Sequence, residues 1–81
     1  MKPKKVLESY LEADQKLVHI GKKVRQLRRA KSPNYENFAR ENNINKVTLN
    51  KIEKGDSVSL RLFIHVIQKL GISLQDFFKG L

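Results

Sequence analysis

The residues best suited to chemistry lie together on one short predicted helix that ends at Gly55. Their side chains are amines, an amide and one apolar group, and they recur at i, i+1, i+4, i+5 and i+8, which is a single helical stripe. The stripe consists of Lys46, Val47, Asn50, Lys51 and Lys54. Amines and amides donate hydrogen bonds to phosphates and to the edges of bases, but a charged stripe is also the usual solvated face of a helical bundle.

The net charge favours the first of these two interpretations. Lys and Arg outnumber Asp and Glu by 17 to 8, which gives +9 over 81 residues. Residues 1–15 hold three charges of each sign, residues 16–54 hold eleven basic and three acidic residues, and residues 55–81 hold three basic and two acidic residues. Because the stripe and the segment before it hold almost all of the excess, a polyanion is the expected partner.

A second short helix is expected to hold the stripe helix in place. Asn34 follows Pro33, which cannot continue a preceding helix, and asparagine is a favoured N-cap. The predicted helix has Phe38 and Ala39 on its apolar side. It breaks at residues 42–43, both asparagine, because asparagine tolerates the left-handed conformation.

The stripe helix has its own start and stop signals. Asn45 is expected to cap it, and Gly55 to end it, as glycine commonly does just past a helix. Its inward positions are then Leu49, Ile52 and the neighbouring Glu53. The two short helices and the tight turn between them form the unit around which the rest of the chain is arranged.

The segment before this unit is predicted to be helical beyond a short arm. Residues 1–5 are expected to be a disordered basic arm, and apolar spacing predicts a helix over about residues 6–18. A second helix begins at residue 16 or 19, ends at residue 31 and turns Ile20, Val24 and Leu27 inward. Whether Asp14 caps this second helix, or the two helices join, stays open.

Two more helices are predicted after Gly55. Ser59 is expected to cap the first, and Gly71 to end it. Its inward residues are Leu60, Phe63, Ile64, Ile67 and Leu70. Ser73 opens the last short helix, with Asp76 three residues on as a capping-box-like partner. No strand pattern occurs, so the predicted fold is all-α, with five core helices and an extra N-terminal helical segment.

Catalysis, metal binding and cofactor binding are not expected. His19 and His65 each stand alone, without carboxylates or thiols at ligand spacing, and we expect them to be surface or packing residues. The chain has no cysteine, no glycine-rich phosphate loop and no H-E-x-x-H pattern. No apolar run approaches the ~20 residues of a membrane span, and no signal peptide is indicated. We therefore expect a cytoplasmic protein that is not an enzyme.

The segments that surround the stripe resemble the Cro/CI-type (XRE-like) helix-turn-helix transcription regulators of bacteria and phages. The resemblance covers residues 20–78 and is carried by three stretches in the family's order and spacing. These stretches are Ile20-Gly21-Lys22-Lys23-Val24-Arg25-Gln26-Leu27-Arg28, the unit from Asn34 to Gly55, and Leu70-Gly71-Ile72-Ser73-Leu74-Gln75-Asp76-Phe77-Phe78. The resemblance implies a five-helix lambda-repressor-like DNA-binding domain over residues 19–81, preceded by an arm and helical extension over residues 1–18.

The resemblance also implies roles for particular positions. The family's base-reading positions match Lys46, Val47 and Lys51, and Arg28 and Glu53 match a structural ion pair. The family's phosphate-contacting Gln is Tyr35 here. The usual glycine of the turn and the apolar residue before it are both asparagine, at residues 43 and 42.

Residues and resemblance together give one expected function. The chain is expected to bind double-stranded DNA sequence-specifically, as a homodimeric repressor on a palindromic operator. Lys46, Val47, Asn50 and Lys51 are the expected base contacts. The expected phosphate contacts are Asn34, Tyr35, Lys54, Lys22, Lys23 and Thr48. The alternatives are an antitoxin or controller subunit that binds DNA together with a protein partner, and a nonspecific nucleic-acid-binding module.

The dimer interface is expected at the C-terminal end. One side of so short a helix can bury only some of its apolar residues against its own domain, and the rest would form an exposed apolar surface. These residues are Leu74, Phe77, Phe78 and Leu81. The competing surface is formed by Val6, Leu7, Tyr10 and Leu11.

Overall fold

All regular structure in the described part of the chain is helical. The computed structural model describes the backbone of residues 2–81 and the side chains of residues 10–81. The helices in that part are α1 (Lys2–Lys31), α2 (Tyr35–Glu41), α3 (Lys46–Lys54), α4 (Leu60–Lys69) and α5 (Leu74–Phe78). The predicted all-α class is therefore confirmed. Val6 and Leu7 of the competing dimer surface lie outside the residues whose side chains are described.

Helix α1 differs most from its prediction. It is continuous over thirty residues, so of the two alternatives left open at Asp14 the joined helix is the one present. The predicted arm is wrong for residues 2–5, which belong to α1, while Met1 lies outside the described residues. Pro3 is compatible with this start because the first turn of a helix needs no backbone donor there. From residue 4 to residue 20 the chain contains no glycine or proline that would break the helix.

The capping predictions are confirmed for the four shorter helices. The side chains of Asn34, Asn45, Ser59 and Ser73 each accept a hydrogen bond from a backbone N–H two or three residues later. These bonds satisfy donors that a helix N-terminus otherwise leaves without a partner.

The turns also have the expected backbone conformations. Gly55 and Gly71 follow α3 and α4 with φ of 88° and 76°. Asn43, between α2 and α3, has φ of 56°. Asparagine therefore takes up the left-handed conformation at the tight turn, as we predicted.

The core lies where α1, α3, α4 and α5 meet, with α2 at its side. The predicted inward residues Val24, Leu49 and Ile52 are buried, and Ile20 and Leu27 pack against them. The full set of buried apolar residues is Val24, Phe38, Ala39, Ile44, Leu49, Ile52, Phe63, Val66, Ile67, Leu70 and Phe77.

The prediction for α4 is wrong at two positions. Leu60, which we expected to point inward, is exposed, and Val66, which we left out of the inward set, is buried. The buried stripe of α4 is Phe63, Val66, Ile67 and Leu70, at i, i+3, i+4 and i+7. Leu60 is the first residue of the helix and lies beyond the edge of the core, with 71% of its surface exposed.

Helices α1 and α3 touch through their backbones at Gly21. A Cβ atom added to Gly21 would collide with the carbonyl oxygen of Ile52 and lie 2.9 Å from that of Glu53. Gly55 makes a similar approach, since its added Cβ would lie 2.9 Å from the Cα atom of Val18. These glycines allow the last turn of α3 to rest directly on α1.

Candidate nucleic-acid interface

An ion pair fixes the orientation of α3. The Arg28 guanidinium donates from Nε and from its second terminal nitrogen to the two carboxylate oxygens of Glu53, both at 2.8 Å. Its remaining nitrogen donates to the carbonyl oxygens of Ser32 and Pro33, at 3.2 and 3.1 Å. The hydrogen bond that Arg28 donates to Glu53 raises the pKa of Arg28, so the guanidinium stays charged although only 4% of the residue is exposed. The predicted structural pair is therefore present.

The turn between α2 and α3 is fixed by side chains on both sides. The amide nitrogen of Asn42 donates to the carbonyl oxygen of Phe38 at 2.8 Å. A ring nitrogen of His65, on α4, lies 3.2 Å from the carbonyl oxygen of Asn43. Ile44 is buried directly after the turn. The half-buried His65 thus acts in packing, and polar contacts hold the turn at Asn42, the position where this sequence departs from the apolar residue usual in the family that it resembles.

The opposite face of α3 carries the stripe. Lys46, Val47, Lys51 and Lys54 are exposed, with Val47 at 56% of its surface. Asn50 and Thr48 are half-buried beside them. The inner face of α3 is buried through Leu49 and Ile52. The predicted base contacts therefore lie on the side of α3 away from the core, and the packing of Leu49 and Ile52 fixes the rotation of the helix about its axis.

Lys46 has a partner that the sequence did not indicate. Its ammonium lies 3.1 Å from a carboxylate oxygen of Glu36, in the first turn of α2, and both side chains are more than half exposed. This hydrogen bond raises the pKa of Lys46. Exposed pairs of this kind contribute little to stability and exchange readily. Lys46 can therefore leave Glu36 for a stronger acceptor.

Arg40 is a further cation beside Lys46 that the sequence analysis missed. Together with Glu36, Ala39 and Ile44 the two basic residues line an open groove between α2 and α3. The available signal was spacing, because Arg40 lies four residues after Glu36 and so shares its face of α2.

At the start of α2 the predicted capping role of Asn34 is present, and its assignment as a phosphate contact stays a prediction. The side-chain oxygen of Asn34 already accepts from the backbone N–H of Asn37 at 3.0 Å. Tyr35 is exposed, and its ring lies 6.0 Å from the guanidinium carbon of Arg28. Tyr35 therefore lies beside the Arg28–Glu53 pair, and its assignment as a phosphate contact stays a prediction.

Of the two predicted phosphate contacts on α1, Lys23 has a partner on α5 and Lys22 is exposed. The Lys23 amine donates to the carbonyl oxygen of Phe77 and lies 5.1 Å from the centre of the Phe77 ring, so it holds α5 against α1. Lys22 is exposed two residues before the buried Val24, on the opposite side of α1 from that core residue. The assignment of these two lysines as phosphate contacts stays a prediction.

The predicted dimer residues divide into two groups. Phe77 is fully buried and stacks edge-on against Phe63, with ring centres 5.7 Å apart. It belongs to the core of its own chain, which corrects its assignment to an interface. Leu74, Phe78 and Leu81 are exposed.

The described residues offer little that points to other chemistry. Among them, no three or more His, Cys, Asp or Glu side chains cluster closely enough to hold a metal ion. None of the helices in this part of the chain has the length and apolar character needed to cross a bilayer. Comparisons with protein-family models, with curated proteins and with solved structures found no match for the chain.

Proposed function

We propose that the chain is a sequence-specific double-stranded DNA-binding regulator of the Cro/CI type, and that α2, the turn and α3 are its helix-turn-helix. In this proposal α3 enters the major groove, which admits a single α-helix. The fold is then the lambda-repressor-like five-helix domain that the sequence resemblance implies, with α1 extended at its N-terminus. The chain acts as a homodimeric repressor that occupies a palindromic operator.

One observation carries the proposal: α3 is held rigidly by one face while the other presents cations to solvent. The Arg28–Glu53 pair and the buried Leu49 and Ile52 fix the helix. Base readout requires side chains placed reproducibly against base edges, and rigid support of the element that carries them meets that requirement. A charged face that served solubility alone would need no such support.

The side chains of α3 suit particular parts of the duplex. Lys46 and Lys51 can donate to guanine O6 and N7, and Val47 can contact a thymine methyl group. Asn50 can reach a base or a phosphate. Lys54, at the end of α3, suits a phosphate, which fixes the docking angle but carries no sequence information.

The surrounding charge supports binding to a polyanion. Residues 16–54 carry eleven basic and three acidic residues, a net charge of +8. Of these basic residues Arg28, Lys23, Arg40 and Lys46 donate to protein partners in the structure, and Arg40, which donates to the side-chain oxygen of Asn37, and Lys46 remain exposed. The proposal therefore assigns the electrostatic attraction to the exposed residues of this segment, chiefly those of α3 together with Arg40.

The test compares two lysines of α3 on a panel of duplexes that differ at single positions. We expect Lys51→Ala to relax base preference at one position of each half-site and to weaken binding by about 1–3 kcal/mol per subunit. Lys54→Ala should weaken binding to all duplexes alike. Lys69→Ala, which removes an exposed cation at the end of α4, is the matched control and should change neither.

Two results would count against the proposal. If Lys51→Ala and Lys54→Ala both weaken every duplex equally, Lys51 does not read a base. If Lys69→Ala weakens binding as much as either of them, the attraction comes from net charge and not from α3, which is the behaviour of a nonspecific module.

A further inference from the structure

The N-terminal half of α1 projects beyond the rest of the fold and keeps an apolar stripe along one side. Residues 10–16 are all exposed, and Tyr10 exposes 64% of its surface. The stripe alternates between steps of three and four residues and continues directly into the part of α1 that packs on the core. Its described members are Tyr10, Ala13, Leu17, Ile20, Val24 and Leu27.

Where this stripe meets the folded domain, it forms one wall of an apolar groove. The other walls come from α3 and the segment after it, the start of α4 and the end of α5. The apolar lining is Leu17, Ile20, Ile52, Val58, Leu60, Phe63 and Phe78. A second depression shares Ile20 and Phe78 and extends the groove to Lys16, His19 and Leu81. The exposed part of α1 and the groove therefore form one continuous surface.

This surface is large for an 81-residue chain. Phe78 and Leu81 expose 45% and 52% of their surfaces, and Leu60 exposes more. With about 150–250 Å² for an aromatic side chain and somewhat less for leucine, these residues and Tyr10 expose roughly 400 Å² of apolar surface. Monomeric proteins rarely expose a patch of that size without a function, and a stable interface needs about 800 Å² per partner, which includes a polar rim.

We propose that a second copy of the chain covers this surface, with the two α1 helices antiparallel and the projecting half of each lying in the groove of the other. Stripe and groove lie on the same side of one helix, so a single two-fold rotation buries both surfaces on both copies. Ala13, a small residue, lies near the axis and lets the helices approach closely. Ile20, which lines the groove, lies about 10 Å from Ala13 along α1. In an antiparallel pair with its two-fold axis near Ala13, the residues of the second copy that precede Tyr10 therefore lie over the groove.

Charge also favours a second copy as the occupant. The molecule carries +9, and most of its surface would repel another copy. Residues 1–15, which include the projecting half of α1, hold three basic and three acidic residues and are neutral overall. The projecting half of α1 is thus the part of the molecule that another copy approaches without net repulsion.

Sedimentation of the full chain without DNA tests this interface, so its outcome is independent of the proposed DNA binding. Ala13→Glu places a charge on the exposed stripe, where glutamate is compatible with a helix. Gln15→Glu is the matched control, since it adds the same charge two residues further, on the opposite side of α1. Leu60→Glu tests the groove from α4. Circular dichroism verifies that each variant remains helical.

We expect the wild type and Gln15→Glu to sediment as dimers, at twice the mass of the chain. Ala13→Glu and Leu60→Glu should sediment as monomers, at the mass of one chain. A monomeric wild type at micromolar concentration would overturn the proposal, and so would a dimeric Ala13→Glu variant. Leu74→Glu identifies the alternative, because Leu74 is exposed on α5 but does not line the groove. If Leu74→Glu is monomeric while Ala13→Glu stays dimeric, the copies pair through the outer side of α5 instead.

Discussion

Replacing Arg28 with alanine should destabilise the protein far more than replacing a surface arginine. The substitution removes a guanidinium that is almost fully buried and leaves the Glu53 carboxylate, whose side chain is 10% exposed, without its two donors. Breaking a buried pair in this way costs about 3–5 kcal/mol. The carbonyl oxygens of Ser32 and Pro33 lose a donor as well.

That loss is a large part of the total stability of a small domain. At roughly 0.05–0.15 kcal/mol per residue, a chain of this length is stable by about 4–12 kcal/mol. For domains of 60–100 residues, 1 kcal/mol corresponds to about 4–8 °C in melting temperature. We therefore expect Arg28→Ala to lower the melting temperature by at least about 12 °C. Arg29→Ala, which changes the exposed neighbour, should change stability by no more than about 0.5 kcal/mol.

A double-mutant cycle with Glu53 shows whether the pair itself is responsible. Glu53→Gln should cost less than Arg28→Ala, because Arg28 would still donate to two backbone carbonyl oxygens. The double variant should cost clearly less than the sum of the two single losses, as expected for residues in direct contact. Urea denaturation followed by circular dichroism measures all four free energies of unfolding. Additive losses would refute the direct coupling, and so would a mild Arg28→Ala variant.

Three further predictions follow from the contacts of α1, α2 and α3. Gly21→Ala should destabilise the fold by about 1–3 kcal/mol in denaturant melts, because the added methyl group collides with the backbone of α3. The control Gly80→Ala should leave stability unchanged, since its added Cβ lies 3.6 Å from a lysine amine. Glu36→Gln should lower the pKa of Lys46 in an NMR titration and tighten DNA binding a few-fold. The ion pair is intact below the ordinary lysine pKa and is lost as pH rises through the raised pKa of Lys46. An unchanged Lys46 titration would contradict the contact. DNA affinity should fall steeply with salt, with a log–log slope of roughly −9 for a dimer that makes about five phosphate contacts per subunit, and a slope shallower than about −3 would exclude the basic surface as the DNA face.

The features that could be predicted from the sequence are those set by neighbouring residues. Asn34, Asn45 and Ser59 cap their helices through bonds to residues two or three positions away, and the left-handed Asn43 and Gly55 follow from residue type. The stripe on α3 needs only helical periodicity. The long-range Arg28–Glu53 pair was predicted as well, but through the family resemblance and not through spacing.

The features that could not be predicted depend on contacts between distant segments. Lys23 donates to the carbonyl oxygen of Phe77, 54 residues away in the chain. The residue pattern of α1 alone could not show that the Lys23 amine would bind α5. Lys46 donates to the Glu36 carboxylate because the turn between α2 and α3 places the first turns of the two helices close together. The continuity of α1 was left open by the sequence for a local reason: Asp14 is a capable N-cap, but nothing before it terminates the helix.

The most direct test of the central claim, that α3 reads DNA sequence, is selection of bound duplexes from a random pool by the full-length chain. We expect enrichment of one palindromic motif, with half-sites about 10 bp apart from centre to centre, since two recognition helices related by a two-fold axis meet the same face of the duplex one turn apart. The same selection with Lys51→Ala should lose its preference at one position of each half-site. A pool that is retained without any enriched motif would contradict sequence-specific binding by α3.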